Sequence, residues 1–174
     1  MTEKARPATP ETLPILYRDE RLVVVDKPSG LLVHRSPIDR HETRFALQIL
    51  RDQLGQRVYT IHRLDKGTSG VLAFGLNPDA AREYSAIFAQ RGVVKTYVAL
   101  VRGWPAEEGT IDRPLAAVDD ERSGPRPAEP RESRTAFRRI ATFELPMRVD
   151  RYPTSRYALV ELTPHTGRRH QLRR

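Results

Sequence analysis

Cysteine is absent from the 174-residue chain. Disulfides and thiolate metal sites are thereby excluded, and a reducing, cytoplasmic setting is the compatible one. No apolar run approaches the length of a membrane span, and the opening residues, MTEKARPATPET, lack the hydrophobic region of a signal peptide. Rich in Pro, Thr and Glu, residues 1–12 read as a disordered tail, with one domain expected over 13–174, long enough to bury a sizeable core. The five histidines (His34, His41, His62, His165, His170) never fall at ligand spacing with acids on a predicted helix. Two glycines five apart followed by lysine and a hydroxyl residue, the nucleotide-cradling pattern, are also missing. Gly67-Thr68-Ser69-Gly70 is one residue short of a Gly-x-Ser-x-Gly nucleophile elbow. Neither a metal nor a nucleotide cofactor is therefore expected.

Lysine is scarce too. Four of the thirty bases are lysines (Lys4, Lys27, Lys66, Lys95), the rest are arginines, and the net charge is +8. Arginine's planar fork pairs with phosphate oxygens and stacks on bases, so this bias suits nucleic acid. A genome-wide preference for arginine would give the same bias, and charge alone leaves both open.

Ile15–Tyr17 and Leu22–Val25 read as a hairpin or as two successive strands, Asp26–Gly30 as a turn, and Leu31–Val33 as a resumed strand. Ala46, Leu47, Leu50 and Leu54 recur at helical spacing, which predicts a helix over 42–54 stopped by Gly55. Asn77-Pro78 starts a second helix, expected to end at Gly92. Strands follow at 93–101, near 110–112, at 133–144 and at 157–162, with a flexible surface loop over 119–132. Many strands and two or three helices without regular alternation predict an α+β domain on a largely antiparallel sheet.

The chemistry centres on His62-Arg63-Leu64-Asp65-Lys66-Gly67-Thr68-Ser69-Gly70, a polar stretch between the apolar runs 58–61 and 71–76. It reads as a loop held between two strands, where functional side chains tend to sit. Its one carboxylate, Asp65, stands among bases, a setting that favours a nucleophile or base over a general acid. The same residues would also serve a tight turn, or a structural ion pair. Composition and spacing leave these alternatives open.

The stretch resembles the His-Arg-Leu-Asp-x-x-Thr-Ser-Gly signature of the RluA-type pseudouridine synthases. Asp26-Lys27-Pro28-Ser29-Gly30 is similar to that family's Lys-Pro turn, Lys95-Thr96-Tyr97 with Val101-Arg102-Gly103 to its Lys-x-Tyr strand, and Thr166-Gly167-Arg168-Arg169-His170-Gln171-Leu172-Arg173 to its late Thr-Gly-Arg-x-His-Gln-Leu-Arg motif. The four motifs fall in family order. Val33–Ser36, Gly103-Trp104 and Arg151–Tyr157 look most like the branch that modifies uridine 65 of tRNA (substrate numbering).

The resemblance implies the pseudouridine synthase catalytic fold around a basic cleft, and a cofactor-free isomerisation of uridine with base flipping. It implies Asp65 as the indispensable catalytic group, Tyr97 stacked on the target base and Arg173 paired with Asp65. Arg63 would help hold the extruded nucleotide out of the stack. His62, Lys27, Arg168 and Leu172 fall on the same motifs and are expected at the substrate. Structural roles stand beside these: His62 as a hydrogen-bonded support, Lys27 and Gly30 as shapers of a turn, Trp104 as packing or a loop anchor. RNA, tRNA above all, is the expected partner of a monomer, with no membrane and no nucleotide cofactor. The alternatives are an rRNA substrate or a non-catalytic RNA-binding module of the same fold. Family chains continue past the late motif, so residues 13–174 are expected to be a catalytic domain truncated at its C-terminal end.

Overall fold

The computed structural model describes residues 11–35, 41–116 and 129–174. The tail expected over 1–12 lies outside these but for its last two residues, as does most of the loop expected over 119–132. Two compact units make up the chain, residues 1–92 and 93–174.

In the first unit, β1 (Ile15–Arg18) and β2 (Leu22–Lys27) form a hairpin, one of the two expected arrangements. Strand β2 takes in Asp26 and Lys27, which were expected in the turn, because both pair with the strand over Gly70–Gly75. The Asp19 carboxylate accepts hydrogen bonds from the Arg21 and Leu22 N–H groups, both at 2.7 Å, and so closes the turn. Helix α1 (Ala46–Leu54), the short β3 (Tyr59–Thr60), β4 (Gly70–Gly75) and helix α2 (Pro78–Ala89) follow, and the sheet order is β1-β2-β4-β3, antiparallel throughout. Strand alternation sends Val23, Val25 and Lys27 to the buried face of β2. They join a core of Leu13, Phe45, Leu50, Leu72 and Phe74.

Two expectations need correcting here. Leu31–Val33 is not a strand; among the described residues it makes a single bridge, Leu32 to Phe45. All three side chains are buried, which an alternating strand with one wet face would not allow. Their backbone serves the next element instead. The Leu32 and Val33 carbonyls accept from the Ala46 and Leu47 N–H groups at 2.8 and 3.0 Å. The helix-start donors are thus satisfied by a neighbouring chain segment, and α1 begins at Ala46, not at residue 42. At its far end Gly55 adopts φ 65°, the left-handed stop expected of it.

Asn77 caps α2 as expected, its side chain accepting from Ala80 N–H at 2.8 Å, with Pro78 at the first helical position. The helix stops at Ala89, not at Gly92, because Arg91 takes up the left-handed conformation (φ 61°) and Gly92 N–H closes back on the Ile87 carbonyl at 2.9 Å.

The second unit is a four-stranded antiparallel sheet in the order β5-β8-β7-β6: β5 (Tyr97–Arg102), β6 (Glu108–Asp112), β7 (Arg134–Leu145) and β8 (Ser155–Pro164). A short 3-10 turn over Gln171–Arg173 follows. Strand β5 starts at Tyr97, so Lys95 and Thr96 precede it; the expected start at 93 was too early. Ala158, Val160 and Leu162 of β8 form the core, with Tyr97, Ala99, Val101, Phe137 and Leu172 packed against them. The α+β class with antiparallel sheets is therefore the one expected. Among the described residues no helix is long and apolar enough to cross a membrane.

At Gly75 β4 packs close against the start of α2. A Cβ there would stand 2.8 Å from the Ala81 backbone nitrogen, which cannot yield without moving the helix. Gly75→Ala is expected to destabilise the protein by about 1–3 kcal/mol, the usual cost of overpacking, seen as a lower urea midpoint.

Candidate active site

The signature loop is held from below by Lys27. Its side chain is fully buried, and its ammonium donates to the carbonyls of Leu31 (2.8 Å), Pro28 (2.9 Å) and Lys66 (3.4 Å). Burial lowers its pKa from the ordinary 10.5, and the nearby Asp65 charge works in the opposite direction. One buried cation thus ties the 26–31 turn to the loop that carries Asp65. Two further bonds reinforce the tie and a third closes the loop on itself. Gly30 N–H donates to the Lys66 carbonyl at 2.8 Å, Ser29 Oγ to the Gly67 carbonyl at 2.9 Å, and Thr68 N–H to the Asp65 carbonyl at 3.0 Å. The ladder between β2 and β4 ends at the pair Lys27–Gly70. Gly70, at φ 112°, sits in a conformation that L side chains rarely adopt, and it turns the loop into β4.

His62 braces the loop from the other side. Its Nε2 accepts from Ala73 N–H at 3.1 Å, and its ring stacks on Phe88 of α2 with centroids 4.3 Å apart. Arg63 is exposed and Asp65 half-buried. His34 lies within the field of Arg63. Its Nδ1 is buried with no hydrogen-bond partner among the described residues, and its pKa is lowered by burial first and by the Arg63 charge second. Sequence reasoning gave His34 no role, since nothing in its neighbourhood along the chain points to Arg63.

The second unit positions the remaining expected residues. Tyr97 opens β5 opposite Leu162 and rests on the Ala158–Leu162 cluster, as does Leu172. The late motif is clipped to β7 by two residues that the sequence argument left without a job. Gln171 Oε1 accepts from Thr166 Oγ1 and from Arg168 N–H, both at 2.9 Å. Its Nε2 donates to Thr135 Oγ1 at 2.9 Å and to the Arg134 carbonyl at 3.2 Å. Buried Thr166 accepts in turn from Arg134 N–H at 2.9 Å. Arg168 Nε donates to the Glu132 carbonyl at 2.8 Å, and Arg173 is exposed on the 3-10 turn. So Lys27, His62, Arg63 and Asp65 are gathered in one unit, and Tyr97, Arg168, Leu172 and Arg173 in the other. Among the described residues no cluster of histidines and acids could hold a metal.

The pattern of the family described as RNA pseudouridylate synthase matches residues 21–174. The chain belongs to that family. A protein of Pasteurella multocida named tRNA pseudouridine synthase C is 51% identical over 166 residues, which is 94% of this chain and 68% of that protein. Its namesake from Vibrio parahaemolyticus is 47% identical over 168 residues, 95% of this chain and 68% of its own length. Among solved structures, human RNA pseudouridylate synthase domain containing 1 superposes with a TM-score of 0.71 at 30% identity, covering 97% of this chain and 65% of that one. Human RNA pseudouridylate synthase domain containing 4 superposes with a TM-score of 0.66 at 31% identity, covering 92% and 62%. The chain therefore spans about two thirds of the length of its relatives. As in the sequence argument, the match runs through the signature loop, the Lys-x-Tyr segment and the late motif of this synthase.

Two measurements test the supports. Lys27→Met keeps the stem and removes the ammonium, taking its donor from the Leu31 and Pro28 carbonyls while the Lys66 carbonyl keeps Gly30 N–H; a loss of about 1–3 kcal/mol per unsatisfied group is expected, read by urea denaturation. For His34, the unfolded ring takes a proton near the ordinary 6.5 while the folded ring resists until lower pH. The unfolded state then binds more protons, so stability falls as pH drops below about 6.5. His34→Gln is expected to flatten this part of the stability–pH curve; an unchanged slope would contradict the assignment.

Proposed function

We propose that this synthase isomerises a uridine of tRNA to pseudouridine, with Asp65 as its catalytic carboxylate. The carrying observation is the likeness, at about half identity over 94–95% of the chain, to proteins named tRNA pseudouridine synthase C. The reaction breaks the bond between N1 of the base and C1′ of the ribose, turns the base, and joins C5 to C1′. C5 then gives up its proton and N1 gains one. Each route to this end, attack of the carboxylate on the sugar or removal of a sugar proton to give a glycal, uses the same side chain of Asp65.

The buried Lys27 ammonium supports the assignment, since it fixes the Asp65 loop and lies within its field. Tyr97 is proposed to stack on the base and take its C5 proton, Arg173 to pair with and aim Asp65, and Arg63 to occupy the place of the extruded nucleotide. Arg168 and Leu172 line the bound strand, with His62 supporting the loop. Uridine 65 is the proposed target, and a cytoplasmic monomer the proposed form.

Incubating the protein with unmodified tRNA and mapping pseudouridine tests this directly. Asp65→Asn is expected to reduce turnover at least about 10²–10⁴-fold, the range of a lost acid–base group or more. Full product formation by that variant would remove Asp65 from the mechanism.

A further inference from the structure

Gly103-Trp104 and the segment Arg151–Tyr157 take no part in the reaction as proposed, yet the second unit brings them together at one end of its sheet. The register pairs Tyr97 with Leu162 at one end of β5 and Arg102 with Tyr157 at the other. Five residue steps separate the ends, about 17 Å at ~3.3 Å per residue. Beyond Arg102, Gly103 turns at φ 88° and donates its N–H to the Arg156 carbonyl at 2.7 Å. That delivers Trp104, the single tryptophan of the chain, to the root of the hairpin between β7 and β8.

The tryptophan is 44% exposed. Its indole N–H donates to the Phe143 carbonyl at 3.2 Å, which fixes the ring. The Arg156 guanidinium lies 4.4 Å from the ring centroid, and Glu144 holds it there at 3.2 Å. At the hairpin tip Val149 and Tyr152 exchange two backbone bonds of 3.1 Å around Asp150, which adopts φ 55°. The tight turn presents Tyr152, 51% exposed, with the Arg151 guanidinium 5.2 Å from its ring.

An exposed ring in a folded monomer needs no explanation singly. Two exposed rings, each beside a guanidinium, one fixed by its indole N–H and the other carried on a backbone-bonded turn with its hydroxyl accepting from Arg151 at 3.1 Å, are a different matter. Aromatic rings and arginine planes are the surfaces on which unpaired bases stack, with arginine also meeting phosphate. Glu144, which would repel phosphate, is occupied by Arg156 and by Thr154 at 2.6 Å.

We infer that Trp104, Arg151, Tyr152 and Arg156 form an RNA-docking surface at the hairpin end of the second sheet, which takes unpaired bases of the substrate RNA away from the nucleotide that reacts. The inference rests on the proposed tRNA activity for the identity of the RNA. A base laid on the Arg156 guanidinium continues the stack already begun on Trp104, and Arg151 with Tyr152 receives a second. At about 17 Å from Tyr97 along the strand, this surface contributes to affinity and substrate choice and not to the chemical step.

The test compares the wild type with Trp104→Leu and with Arg151→Gln/Tyr152→Leu, the latter confined to exposed positions of the tip so that folding is spared. Each is assayed on full-length unmodified tRNA and on a short stem–loop that holds only the target uridine and its own stem. On tRNA, KM is expected to rise about five- to hundredfold, the size of one base–aromatic stack, with kcat unchanged; on the stem–loop neither constant should move. An unchanged KM on tRNA, or an equal rise on both substrates, overturns the inference. If the wild type modifies neither RNA, the proposed function fails instead, and equilibrium binding of the same tRNA decides for the surface. Weaker binding by the tip variant sustains it, and equal binding overturns it.

Discussion

A lysine with no exposed surface carries its charge into a region where an ammonium is costly unless donors and acceptors are matched around it. Lys27 meets that condition with three backbone carbonyls and the field of Asp65. The condition works in both directions. Carbonyls from Pro28, Leu31 and Lys66 must converge on one point, and chain segments some forty residues apart in sequence are drawn together to do it. The Asp65 loop consequently has less freedom to drift, because moving it away would take the Lys66 carbonyl and the Asp65 charge from a buried ammonium. A carboxylate in the catalytic role proposed for Asp65 needs that kind of restraint, since effective molarity is lost with small misplacements.

The second unit reaches the same end by neutral means. Gln171 spends both ends of its amide on β7 and on the late motif, and buried Thr166 completes the clip. Ion pairs are numerous across the protein, among them Arg21–Glu83, Arg44–Glu11, Lys66–Glu42 and Arg138–Glu161, but their side chains are a third or more exposed. Such pairs contribute roughly 0–1 kcal/mol each. Position at the candidate site is therefore set by a few buried hydrogen bonds to backbone, and the surface charge is left available for other work.

This division explains what could be read from the sequence. Asn77-Pro78 announced its helix because capping is local chemistry, legible in two residues. The paired strands β7 and β8 were legible for the same reason, being long and regularly patterned. Leu31–Val33 misled because its apolar run looks like a strand while its carbonyls serve the start of α1, a tertiary use that no pattern encodes. The β2 alternation did contain the signal that Lys27 points inward with Val23 and Val25, but a charged residue at the end of a strand reads more readily as part of the turn. Thr166 and Gln171 stood in a motif that was noticed, and their roles as a clip depend on Arg134 and Thr135, some thirty residues away. Trp104 was expected to be packing or a loop anchor. The anchor is there, through Phe143, yet the residue remains 44% exposed beside a guanidinium.

On the proposed reading, the separation between Tyr97 and the hairpin end has an energetic meaning. Taking a nucleotide out of its stack costs a few kcal/mol, and the contacts to that nucleotide are made only once it is out. Stacking of other bases on Trp104–Arg156 and on Tyr152, about 1–3 kcal/mol per base, is available without extrusion and matches the cost in size. Binding energy from parts of a substrate that do not react can be used to offset distortion at the part that does. For this to work the two places must be connected rigidly, or the gain at one end would be absorbed by movement of the chain between. The β5–β8 ladder, unbroken from Tyr97–Leu162 to Arg102–Tyr157 and backed by Ala158, Val160 and Leu162, is a connection of that kind.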